Sequence, residues 1–151
     1  MNQTENLVTP SSEILTPEKI YNNQRRDWNE KILGMANAQR DIMQIANVQI
    51  DLYSNRHRAV DEIHTLLNLH VKVSERNKIA RGEARKKLEN TDLKVKDTNE
   101  QVDAATAQIK TALDQIANQI DFLREVIKTV DAMLYGIKHR IDFENNYRRL
   151  S

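Results

Sequence analysis

Residues 83–140 read EARKKLENTDLKVKDTNEQVDAATAQIKTALDQIANQIDFLREVIKTVDAMLYGIKHR. Leu88, Val95, Val102, Ile109, Ile116, Leu123, Val130 and Ile137 fall seven residues apart along this stretch. It contains no Pro, and its only Gly is Gly136. Apolar residues recurring every seventh position keep one seam of a helix turned toward a partner over many turns. The stretch therefore predicts a long heptad-repeat helix in a coiled coil or bundle. Three residues after each early seam position the side chains are small or polar: Thr91, Thr98, Ala105 and Ala112. Later, apolar groups follow four after it at Leu113, Ile120, Ile127, Leu134 and Ile141, and Val126 and Met133 widen the stripe. A narrow seam suits one neighbour and a wide stripe suits burial among several. The expectation is a thin start, a thick end, and self-assembly centred on residues 113–143. Its candidate oligomerisation residues are Ile109, Leu113, Ile116, Ile120, Leu123, Ile127, Val130, Leu134, Ile137 and Ile141.

Outward from that stretch, the composition fits the same picture. The chain has 151 residues, three Gly, two Pro and few aromatics. The expected fold class is all-α: an elongated helical protein that completes its core by pairing with copies of itself. Three regions follow: a disordered arm at 1–15, an N-terminal helical region at 16–82, and a long C-terminal oligomerisation helix at 83–151. Thr16-Pro17-Glu18 supplies a hydroxyl cap, a Pro at the first helical position and an acid in the first turn. A helix is predicted from there to Tyr53 on the spacing of Trp28, Ile32, Met35, Ile42, Ile45 and Tyr53, with Gly34 weakening its middle. Ser54-Asn55-Arg56 suggests a break, because Ser and Asn compete locally for helix hydrogen bonds. Within residues 60–74, Leu67 to Val73 alternate like a strand, but no turn signal or hairpin partner lies nearby, which favours helix. Arg81-Gly82-Glu83 reads as a joint before the long helix.

The absence of Cys excludes disulfides and thiol chemistry. No secretory leader and no run of 18 apolar residues is present, which points to the cytoplasm, or the host cytoplasm if the protein is viral. His57, His64, His70 and His139 lack the four-residue spacing of helical metal ligands, and no phosphate loop, Ser elbow or apolar carboxylate pair occurs. The chain reads as non-enzymatic, with no cofactor and no metal.

A net charge of +1 conceals blocks of opposite sign. Between Lys72 and Lys87, seven cations (Lys72, Arg76, Lys78, Arg81, Arg85, Lys86 and Lys87) face only Glu75 and Glu83. From Glu89 to Glu125 acids dominate. The basic cluster can line a path for a phosphodiester backbone, and Arg56, His57 and Arg58 beside Tyr53 add a stacking ring ringed by cations. A solvated face, or a face that pairs with the acidic block of a neighbour, explains the same pattern. A Tyr at helical spacing is also more often a core residue than a base platform.

Asp121-Phe122-Leu123-Arg124-Glu125-Val126-Ile127-Lys128-Thr129-Val130, followed by Tyr135-Gly136-Ile137-Lys138-His139-Arg140-Ile141-Asp142-Phe143, resembles the closing helix of the UvsY-type recombination mediators of tailed phages. Ile50-Asp51-Leu52-Tyr53-Ser54-Asn55-Arg56 is similar to that family's Leu-Asp-Tyr-Tyr-(Ser/Thr)-Gly-(Arg/Lys) stretch. The resemblance implies a ring-like homo-oligomer joined through C-terminal helices. It also implies a protein that binds single-stranded DNA and helps load a RecA-like recombinase onto strands coated by single-strand-binding protein. Where the family carries cations before its Leu-Asp-Tyr-Tyr stretch, this chain has Asn47 and Gln49, so Arg56, Arg58 and the 72–87 cluster must carry more of any DNA contact. The alternative expectation is a structural or adaptor coiled-coil protein, a virion or secretion component with no nucleic-acid role.

Overall fold

The computed structural model describes residues 16–151, so the arm expected at 1–15 lies outside the described residues. Within them every regular element is a helix: α1 (Pro17–Ala38), a 3-10 turn (Ile42–Gln44), α2 (Ile45–Leu88), α3 (Val95–Ala105) and α4 (Ala107–Leu150). The all-α expectation holds.

α1 starts where its sequence signals place it, with the Thr16 hydroxyl accepting the Lys19 N–H at 3.4 Å and Pro17 and Glu18 in the first turn. It ends earlier than expected, at Ala38 rather than near Tyr53. Two contacts fix this break. The Asp41 carboxylate accepts the Met43 N–H at 2.9 Å, starting the 3-10 turn. From α4, Arg140 donates to the Gln39 carbonyl at 2.8 Å, satisfying an acceptor that the end of α1 leaves free.

The break expected at Ser54-Asn55-Arg56 does not occur. The Asn55 amide donates to the Asp51 carbonyl of its own helix at 2.9 Å, and Leu52 and Ala59 on either side are fully buried. α2 continues for 44 residues, about 66 Å at the usual rise. It takes in residues 60–74 as helix and passes through Gly82 without a joint. The single helix expected over 83–151 is divided. Residues 83–88 close α2, and the chain reverses through 89–94, where the Thr91 N–H and hydroxyl both donate to the Leu88 carbonyl (3.1 and 2.6 Å). A second interruption falls at Thr106, whose φ of −109° and ψ of 8° leave the helical region. Its hydroxyl donates to the Val102 carbonyl at 2.9 Å and accepts from Arg81 at 3.4 Å.

The reversal makes α2 antiparallel to α3 and α4, and this sets what the heptad seam touches. Val102, Ile116, Leu123, Val130 and Ile137 are buried inside the chain. Their partner is a second heptad series, Ile45, Leu52, Ala59, Leu66, Val73 and Ala80 on α2, every member buried or half-buried. Only Val95, at the turn, stays 80% exposed. α1 lies along one side of the wide end and adds Trp28 and Met35 to the core with Ile45, Val48, Leu123, Val126 and Val130. Each large apolar side chain buried this way stabilises the fold by about 2 kcal/mol. The molecule is thus a three-helix bundle at one end that thins to a two-helix hairpin at the other. In the hairpin, small or polar groups such as Asn77, Ala80, Ala84 and Thr106 fill the seam.

Candidate nucleic-acid interface

The basic cluster lies on the last turns of α2, in the thin half. Lys72, Arg76, Lys78, Arg85, Lys86 and Lys87 are all exposed, and none has an ion-pair partner among the described residues. At about 100° per residue, Lys72, Arg76 and Lys86 fall within one arc of about 80° on the outer face of the helix, while Lys87, one heptad step beyond Ala80, lines the edge of a groove between α2 and α3 with Ala84 and Gln101. Lys78 and Arg85, seven apart, run along the side away from α1. Two helices packed on a small-residue seam hold this surface clear of the bundle.

The other three candidates are engaged elsewhere. Arg81 is half-buried and bridges to α3 and the Thr106 kink, with its Nη1 2.7 Å from Asp103. Arg56 spans α2 and α4 as a two-pronged pair with Asp131 (2.6 and 3.3 Å). That hydrogen bond, with the carboxylate charge behind it, holds the guanidinium pKa above its ordinary value. Arg58 pairs with Glu62 at 3.1 Å and lies over the Trp28 ring at 5.6 Å, where the Trp28 indole N–H also donates to Glu62 at 3.0 Å. Arg56 and Arg58 leave the helix in nearly opposite directions, and Arg58 is separated from Lys72 by about 21 Å of helix. The proposed Tyr53 platform and the 72–87 cluster are therefore two separate places on the molecule. Tyr53 itself is 57% exposed and opens into a groove of about 440 Å³ between α2 and α4.

The ten candidate oligomerisation residues divide in the same manner. Ile116, Ile120, Leu123, Val130 and Ile137 are buried in the chain's own core. Ile109, Leu113, Ile127 and Leu134 are half-buried, and Ile141 is exposed. The seam serves the hairpin first, and only its outer flank remains for other molecules. Sequence reasoning missed the α2 heptads that fill this role, although their seven-residue spacing was there to be counted.

Among the described residues no cluster of His, Asp and Glu could hold a metal ion, and no helix is long and apolar enough to cross a membrane. The fold and its surface define a helical hairpin, buttressed by one shorter helix, with a cationic tip region. No protein family, curated protein or solved structure matches the chain.

Proposed function

We propose that the protein is a non-enzymatic accessory factor that binds single-stranded nucleic acid through the outer face of α2 and works as a homo-oligomer. One observation carries the reading: six exposed cations, without ion-pair partners among the described residues, within sixteen residues of one helix. Phosphate binding by such a surface releases counterions and needs no pocket. The resemblance to UvsY-type mediators supplies the finer version, in which DNA recombination is the setting. There a RecA-like recombinase and single-strand-binding protein are the protein partners.

Fluorescence anisotropy of a labelled single-stranded oligonucleotide, titrated at several salt concentrations, tests the reading. Engagement of about five phosphates predicts a log–log salt slope near −3.5. Reversing Arg76, Lys86 and Lys87 to Glu abolishes binding while helix content by circular dichroism stays unchanged. Flat anisotropy at low salt overturns the nucleic-acid reading.

A second reading has an observation of its own. Glu75 and Glu83 lie among the cations, and the closed seam makes a rod about 66 Å long. Both suit a structural or adaptor coiled-coil protein whose charges set register. Under that reading the same reversals change assembly and leave the oligonucleotide unbound throughout.

A further inference from the structure

From residue 131 onward, four charged residues form a row on the flank of α4 that turns away from α1: Asp131, Lys138, Asp142 and Arg149. At about 100° per residue their directions agree to within about 40°. Their signs alternate along the helix. Lys138, Asp142 and Arg149 have no ion-pair partner among the described residues, while Asp131 holds Arg56. The row borders the groove into which Tyr53, Tyr135 and Ile141 open. Beyond it, residues 143–150 are exposed except for the half-buried Glu144.

We propose that this flank of α4 is a two-fold interface with a second copy of the chain, the two α4 helices running antiparallel and crossing at residue 140. About that axis Lys138 faces the copy's Asp142 and Asp131 faces the copy's Arg149, each contact occurring twice. A parallel in-register pairing sets like charge against like at all four positions. Matching its own reverse is a property that only pairing with a copy demands of a surface, because a two-fold interface uses one patch twice. The groove receives the apolar part of the contact, and the buried seam plays no part in it. This inference rests on the reading that the chain assembles with itself, and it replaces a ring closed through the seam by an isologous pair.

The chain has no Cys, so single cysteines report the geometry directly. In the antiparallel pair, residue 135 lies beside the copy's residue 145, whereas the two 135 positions are about 15 Å apart along the axis. A mixture of Tyr135→Cys and Asn145→Cys chains therefore gives a disulfide dimer on mild oxidation, and neither chain alone does so efficiently. Lys138→Glu and Asp142→Lys each raise the dimer dissociation constant about tenfold or more, and an equimolar mixture of the two restores wild-type affinity. That rescue separates contact between chains from the i,i+4 contact within one helix, which stays like-charged in both variants. A wild-type protein that sediments as a monomer at high micromolar concentration overturns the self-assembly reading and this proposal together. A wild-type oligomer that is indifferent to both reversals, or that cross-links equally from each cysteine chain alone, overturns only this interface.

Discussion

At the scale of the residue, the buried side chains are those whose loss the fold cannot absorb. Trp28 is 3% exposed, and its indole N–H is satisfied by Glu62, with Lys31 and Arg58 over the ring. Trp28→Ala should cost about 3–5 kcal/mol, seen as a lower urea midpoint. Leu123 is fully buried in the chain's own core. Leu123→Asp therefore unfolds the protein, with loss of helical circular dichroism, rather than releasing a folded monomer from an assembly. Gly82 gives the opposite sign. No Gly has positive φ, and a Cβ built on Gly82 meets no atom within 4 Å. Gly82→Ala should stabilise by about 0.5–1 kcal/mol in chemical denaturation, since Gly only weakens a helix interior.

At the scale of the element, the sequence was readable wherever a local rule set the outcome. Thr16-Pro17-Glu18 started α1, and the seven-residue steps from Val102 to Ile137 marked a buried seam. What could not be read depended on contacts between residues far apart in the chain. The end of α1 is fixed by Arg140, about a hundred positions away, and Asn55 stays helical because Leu52 and Ala59 anchor the turns around it. The partner of the seam was misjudged for a plainer reason: a strong heptad in one helix says nothing about whether its mate lies in the same chain. The cationic cluster was visible as composition, but its division between cations unpaired among the described residues and the paired Arg56, Arg58 and Arg81 required the fold. The hairpin's thin half has a consequence of its own. Its seam includes Asn77, whose Oδ1 is buried without a hydrogen-bond partner among the described residues, and few large apolar groups. Amide hydrogen exchange should be faster over 71–88 and 95–112 than over 45–66 and 116–137, because opening there exposes little apolar surface. Asn77→Leu should slow exchange in the first pair of segments and leave the second pair unchanged, since it replaces an unsatisfied carbonyl by seam-filling carbon.

At the scale of the whole molecule, the two proposed surfaces lie at opposite ends of the hairpin, with the cations toward the α2–α3 turn and the copy-facing row toward the C-terminal end of α4. Two chains crossing at residue 140 then carry their cationic faces outward in opposite directions, each able to hold a separate segment of one strand. Joining two weak sites makes the second binding event intramolecular, so affinity for a long strand exceeds that of either site without any new contact. This separates the roles of the two ends experimentally. An oligonucleotide too short to reach both sites should bind wild-type protein and Lys138→Glu alike. A strand long enough to span the pair should bind wild-type protein at least about tenfold more tightly than it binds Lys138→Glu. Equal loss on short and long strands would place Lys138 in the nucleic-acid contact itself. Equal affinity of both proteins for the long strand would mean that each hairpin acts alone.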